Sequence, residues 1–198
     1  METKKMTEPV FVAQFEPPET TEERIANRAN EDSNLPEWNW CGICCLRMIL
    51  LGLNKEAPSL LEMYQKAFDQ YGVFRMIEDR VIGSYHRELA HYARMEFGFF
   101  TECIRGQSTT DIAQLVTSGS FVIASVSPEI RKLEGASPES RNGHLVLVYG
   151  VHEDNNGRSF LIHNSAGFLS LGTQSAVLIP EDRFNACFSG NGITIADG

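Results

Sequence analysis

WNWCGICC, residues 38–45, decides how this chain is read, because it gathers three of the five cysteines between positions 41 and 45. Three chemistries fit it. Cys41 can be half of a redox Cys-x-x-Cys pair with Cys44, part of a metal clasp, or a nucleophile followed by two packing sulfurs. The residues on either side have to choose.

Downstream, CGICCLRMILLGLN is apolar nearly all round, which predicts a buried helix ending near Gly52 and Asn54. Cys41 then stands at the mouth of that helix, where free backbone N–H groups and the helix dipole favour a thiolate. Cys44 and Cys45 lie one turn deeper, where cysteine behaves as a small apolar residue. Upstream, EDSNLPEWN is no strand, whereas a redox Cys-x-x-Cys motif follows a strand inside a βαβ unit. A structural zinc site wants four ligands in two spaced pairs, but Cys103 and Cys187 stand alone. His86 and His91, five apart, do not share a helix face. An odd number of cysteines is not a disulfide framework. The nucleophile reading leads, with the redox and metal readings behind it.

A cysteine nucleophile needs a base and a group that orients the base. The predicted elements supply both. VFVAQFE (10–16) reads as a short strand, and the polar stretch 16–37 as a loop holding a short helix, with Thr20 and Glu23 spaced as a capping box. Residues 57–72, 84–97 and 109–119 read as helices, the last capped by Ser108 or Thr109. Strands follow at 121–127, 144–151, 159–165, 176–180 and 192–196, with Asn156-Gly157 as a hairpin turn. Helices first and an antiparallel sheet after them make the class α+β. His144 opens an apolar strand directly after a glycine and the long polar loop 128–143, so it is placed to face a cleft. On the next strand of the hairpin, Asn164 can lie beside it and accept its ring N–H. His163 alternates with Asn164 and faces the other way, and His152 falls in a turn.

Composition limits the partners. The chain has 198 residues, 42% apolar and 22% charged, as a soluble globular domain does. A net charge of −9 argues against nucleic acid and anionic membranes. The longest apolar run, MILLGL (48–53), is too short to span a bilayer, and METKKMTEP lacks a signal-like apolar core. A cytoplasmic location is expected.

Four stretches resemble the C39-like group of papain-like cysteine peptidases, which includes bacteriocin-processing enzymes. They are CGICCLRMILLGL, TTDIAQLVTSGSFVIASVS, GHLVLVYGVHEDNNGRSFLIHNSAG and IPEDRFNACFSGNGITI, together spanning about 41–196. The resemblance implies a papain-like α+β fold with a helical lobe and an antiparallel β-sheet lobe, formed as one domain over 1–198. It implies Cys41 as nucleophile, His144 as base and Asn164 as orienting residue, working as an imidazolium–thiolate pair on a peptide or protein substrate. No metal or cofactor is implied. Asn164-Ser165-Ala166-Gly167 resembles the asparagine segment of papain, whereas many C39-like members carry Asp there. The family's oxyanion glutamine usually stands shortly before the cysteine, but six residues upstream of Cys41 is Leu35, which cannot donate. Gln14 is the candidate donor instead, making 16–37 an insertion, with Asn39 the fallback and the Cys41 backbone N–H the second donor. Trp38, Trp40 and the loop 128–143 either shape substrate access or pack between lobes. Two other readings stand beside this one: an inactive domain that binds a peptide without cutting it, and a Cys41/Cys44 thiol oxidoreductase.

Overall fold

The structure is a computed structural model that describes residues 8–27, 36–155 and 157–198; Leu35 and Asn156 lie outside these. Along the chain come α1 (Thr21–Ala26), α2 (Cys41–Gly52) and α3 (Leu60–Tyr71), then a hairpin of β1 (Phe74–Ile77) and β2 (Arg80–Gly83). Next are α4 (His86–Phe97), β3 (Phe100–Ile104), α5 (Thr109–Thr117) and β4 (Phe121–Val126). The chain closes with β5 (His144–Asp154), β6 (Gly157–His163), β7 (Val177–Pro180), α6 (Glu181–Cys187) and β8 (Phe188–Ala196). Local chemistry sets several boundaries. Ser59 with Glu62 and Ser108 with Asp111 form reciprocal capping boxes that start α3 and α5. Left-handed glycines at 72 and 98 stop α3 and α4.

Six strands form one antiparallel sheet in the order β3-β8-β4-β5-β6-β7. Each face carries its own core. Phe121, Ile123, Leu145, Leu147 and Ile193 point towards α2, α3 and α4. Val122, Ala124, Val126, Val146 and Phe160 point towards α5 and α6. This explains why β4 is buried at every position: a strand covered on both faces has no solvent side for polar residues to occupy. On α2, Ile43, Leu46, Met48, Ile49 and Leu50 are completely buried. Each is worth roughly 1.5–3 kcal/mol, so packing rather than helix propensity holds the helix that bears Cys41.

Two expectations are corrected. The segment 10–16 forms no strand. Val12, Ala13, Gln14 and Phe15 are buried in succession rather than alternately, because the segment is covered on both sides. The Cys44 thiol faces the Ala13 carbonyl at 3.8 Å, and the Gln14 N–H donates to the Ser165 carbonyl at 2.8 Å. The short helix of the 16–37 loop is present as α1, but without its capping box: the Thr20 hydroxyl donates backwards to the Pro17 carbonyl.

The loop 128–143 opens with a turn of 3-10 helix, Pro128–Arg131. Arg183 of α6, 6% exposed, holds that loop from beneath. Its guanidinium donates to the carbonyls of Glu129, Lys132, Gly135 and Ala136. A buried cation thus finds its partners in main-chain oxygens, which satisfy its donors without a second charge.

Candidate active site

Cys41 is the first residue of α2, and Trp40 precedes it as the N-cap with no side-chain capping bond. The helix mouth can sit deep in the fold because of Gly42. A side chain at that position would meet Leu89 of α4 at 2.7 Å and the Ser84 hydroxyl at 2.8 Å. The Cys41 thiol faces the backbone of Leu145, the residue that follows His144 on β5, and the Cys45 thiol approaches the Leu145 carbonyl at 3.9 Å. The sulfur and the base therefore come from neighbouring points of the α2–β5 contact.

His144 meets Asn164 directly. Its Nε2 lies 2.7 Å from the Asn164 Oδ1. An amide oxygen only accepts, so Nε2 carries the ring proton and Nδ1 is left as the basic nitrogen. The same Oδ1 accepts the Ala166 N–H at 3.2 Å, which holds the amide with its oxygen towards the ring. The turn is fixed from outside by two residues that the sequence did not single out. The Gln174 carbonyl receives the Asn164 N–H at 2.8 Å, and its side-chain amide donates to the Gly167 carbonyl at 3.1 Å. The Thr173 hydroxyl accepts the Phe168 N–H at 2.9 Å. Their one signal in the sequence is a pair of polar residues shortly before the apolar AVLIP strand.

The oxyanion candidates separate. Gln14, 5% exposed, lies against Ser165. Its Nε2 donates to the Glu37 carbonyl at 2.7 Å, and its Oε1 accepts from the Ser165 hydroxyl at 3.3 Å. Asn39 is turned away, its amide donating to the Val81 carbonyl of β2 at 3.0 Å. Trp38 packs edge-on against Phe15, and Trp40 leans on Tyr64. His163 is held by two backbone partners: Nε2 donates to the Pro9 carbonyl and Nδ1 accepts the Ala176 N–H. All five cysteines are free, and Cys44 is completely buried.

Electrostatics in this closed arrangement oppose charge. Cys41 is 7% and His144 4% exposed. Burial raises the Cys41 thiol above 9.0, although backbone hydrogen bonds at Leu145 and Gly42 and the Arg131 charge pull it down. A helix N-terminus is worth about 0.3–1 kcal/mol, less than one pKa unit, so burial wins. Burial, then Arg131, pushes the His144 imidazole from 6.5 down to about 3, against the pull of Asn164. Burial thus works against charge on both members of the expected imidazolium–thiolate pair, and entry of water or substrate would relieve it. A stability consequence follows. Unfolded His144 takes up its proton near 6.5 and folded His144 only near 3. The unfolded state therefore binds more protons between those values, and stability falls as pH falls through that window. Urea unfolding at pH 7 and pH 4 is expected to show this loss, and His144→Gln to reduce it.

The family model described as Peptidase_C39 like family matches residues 21–184, a range that begins after Gln14. A solved double-glycine-motif protease from an AMS/PCAT transporter, in complex with a leader peptide, superposes with a TM-score of 0.56 at 16% identity. That match covers 98% of this chain and 96% of the other. A protein from Bacillus anthracis described as a C39-like peptidase gives a TM-score of 0.55 at 16% identity, covering 81% of this chain and 90% of the other. At these identities both show likeness of fold. No curated protein matches the chain. Among the described residues, no helix is long and apolar enough to cross a membrane.

Proposed function

The chain belongs to the Peptidase_C39 like family, and from that premise we propose that it is a cysteine peptidase hydrolysing peptide or isopeptide bonds through Cys41, His144 and Asn164. The observation that carries this reading is the 2.7 Å bond between His144 Nε2 and Asn164 Oδ1, which leaves the other ring nitrogen as the base on the strand next to Cys41. Residues 1–198 are one such domain, with 16–37 an insertion between oxyanion donor and nucleophile.

In the proposed reaction, Nδ1 takes the Cys41 proton and the thiolate attacks the amide carbonyl carbon. The oxyanion is met by the Cys41 backbone N–H and the Gln14 side-chain amide. Gln14 donates to the Glu37 carbonyl at rest, so it serves the oxyanion with its second N–H or by exchanging that bond. The imidazolium returns its proton to the leaving amine, forming a thioester. Water, deprotonated by the same ring, then releases the acid and restores the thiol. The substrate is a peptide or protein, and leader peptides, the ligand class in the solved double-glycine-motif protease, are the first to test.

The coverage of the pair, with Cys41 7% and His144 4% exposed, also favours a second reading, a domain that binds a peptide without cutting it. One experiment separates the two: a thiol-reactive peptidyl acyl probe, with the modified cysteine read by mass spectrometry. The peptidase is expected to label at Cys41 ahead of the exposed Cys103, to keep that labelling in Cys44→Ser, and to lose about 10²-fold or more in rate in His144→Ala. Equal slow labelling of Cys41 and Cys103 would sink the peptidase reading in favour of the binding domain.

A further inference from the structure

Arg131 ends the 3-10 helix Pro128–Arg131, which Ser127 caps by accepting the Glu129 N–H at 3.3 Å. Arg183 grips the carbonyls of Glu129 and Lys132 close on either side. From this fixed base the Arg131 Nε donates to the Ala166 carbonyl at 2.7 Å. The Ala166 N–H in turn donates to the Asn164 oxygen that receives His144. The guanidinium is therefore tied to the turn that orients the ring, and it reaches towards the Phe168 ring at 6.0 Å.

We propose that Arg131 is a positioning residue for the Cys41–His144 pair, fastening the turn that carries Asn164 and tying a permanent positive charge to that turn. The inference rests on the peptidase reading above. A guanidinium does not lose its charge in proteins. Among the described residues, Arg131 is the charged side chain that acts on both Cys41 and His144. The titratable neighbours from the thiol's own helix are Cys44 and Cys45, both raised by burial and neutral. Arg47 and Glu16 act on Cys44. A cation favours thiolate over thiol and imidazole over imidazolium. Both protons of the pair therefore leave at lower pH than they would without it, and the pH dependence of Cys41 alkylation reads that shift.

The test is the rate of Cys41 alkylation by iodoacetamide against pH, read by mass spectrometry, in wild type, Arg131→Gln and Arg131→Lys, with Cys103 as internal reference. Arg131→Gln is expected to move the midpoint up by about half to one pH unit, slowing alkylation about 3–10-fold at pH 7. Arg131→Lys keeps the charge and is expected to keep the midpoint. It is also expected to lower peptide hydrolysis, because an ammonium does not reproduce the Nε bond to Ala166. If Arg131→Gln melts below the assay temperature, Arg131→Met takes its place with the same expected shift. A reactive wild-type Cys41 whose midpoint stays put in the uncharged variants overturns this inference alone. A wild-type Cys41 no more reactive than Cys103 overturns the peptidase reading, and this inference with it.

Discussion

Cys41→Ala is expected to abolish peptide hydrolysis, a loss of at least ~10⁴-fold in kcat/KM, in a protein that still folds. Both halves follow from the same position. Among the described residues, Cys41 is the cysteine at the helix mouth, while Cys44 and Cys45 lie deeper and are completely buried. Neither can take over its role. The fold, by contrast, loses one sulfur from a helix anchored by five fully buried aliphatic side chains, a cost of ~1 kcal/mol. Thermal melts should therefore nearly coincide with wild type while the rate collapses. Cys44→Ser should behave in the opposite way, keeping hydrolysis and losing stability, since its hydroxyl enters a site built for packing. Residual hydrolysis in Cys41→Ala, above that of a heat-killed control, would place the chemistry elsewhere.

Gly167→Ala is expected to be the most damaging conservative change in the molecule. An added methyl group at this position would sit 1.9 Å from the Thr173 carbonyl oxygen, 2.5 Å from its carbon and 2.9 Å from the Gln174 Cα. All three atoms are backbone, so no rotamer change relieves the clash, and one of the two segments has to move. A cost of about 3 kcal/mol or more is expected. That corresponds to a fall of roughly 6–12 °C in Tm for a chain of this size. Activity should fall too, by about 10²-fold, because Gln174 holds both the Asn164 N–H and the Gly167 carbonyl. Gly172→Ala is the control. Nothing lies within 4 Å of its added methyl, and its cost is that of a non-glycine residue at φ +63, about 1 kcal/mol. Equal melting points for the two variants would mean that the 164–167 turn is not pressed against 173–174.

The parts of the fold legible in the sequence are those whose local and long-range demands coincide. An all-round apolar run could only be a buried helix, and α2 is one. The largely apolar stretch 121–127 reads as a strand, and Phe121–Val126 is one, covered on both faces. The hairpin after His144 can bring Asn164 back beside it, and the two meet at 2.7 Å. Other parts were hidden for identifiable reasons. The β1–β2 hairpin turns on Glu78 and Asp79, both at positive φ, where Asn-Gly is the usual signal. The edge strand β3 exposes Phe100, Glu102 and Cys103, so it lacks a clean alternation. Gln14 gave a β-like pattern, yet its neighbours are buried in sequence by two different elements. Arg183 was invisible because its partners are carbonyls 47–54 residues away, and a carbonyl leaves no mark in a sequence. The burial of Cys41 and His144 was hidden for the same kind of reason, since desolvation belongs to the assembled fold.

The Arg183 clamp leaves an evolutionary freedom behind it. A guanidinium that grips main-chain oxygens is blind to which side chains those residues carry. Positions 132–134 and 136 can exchange identity, size and charge while the path of the loop stays anchored; Gly135 is the exception, because its backbone lies at φ +139. The outer side chains of the loop can therefore vary without any change in the anchor beneath them.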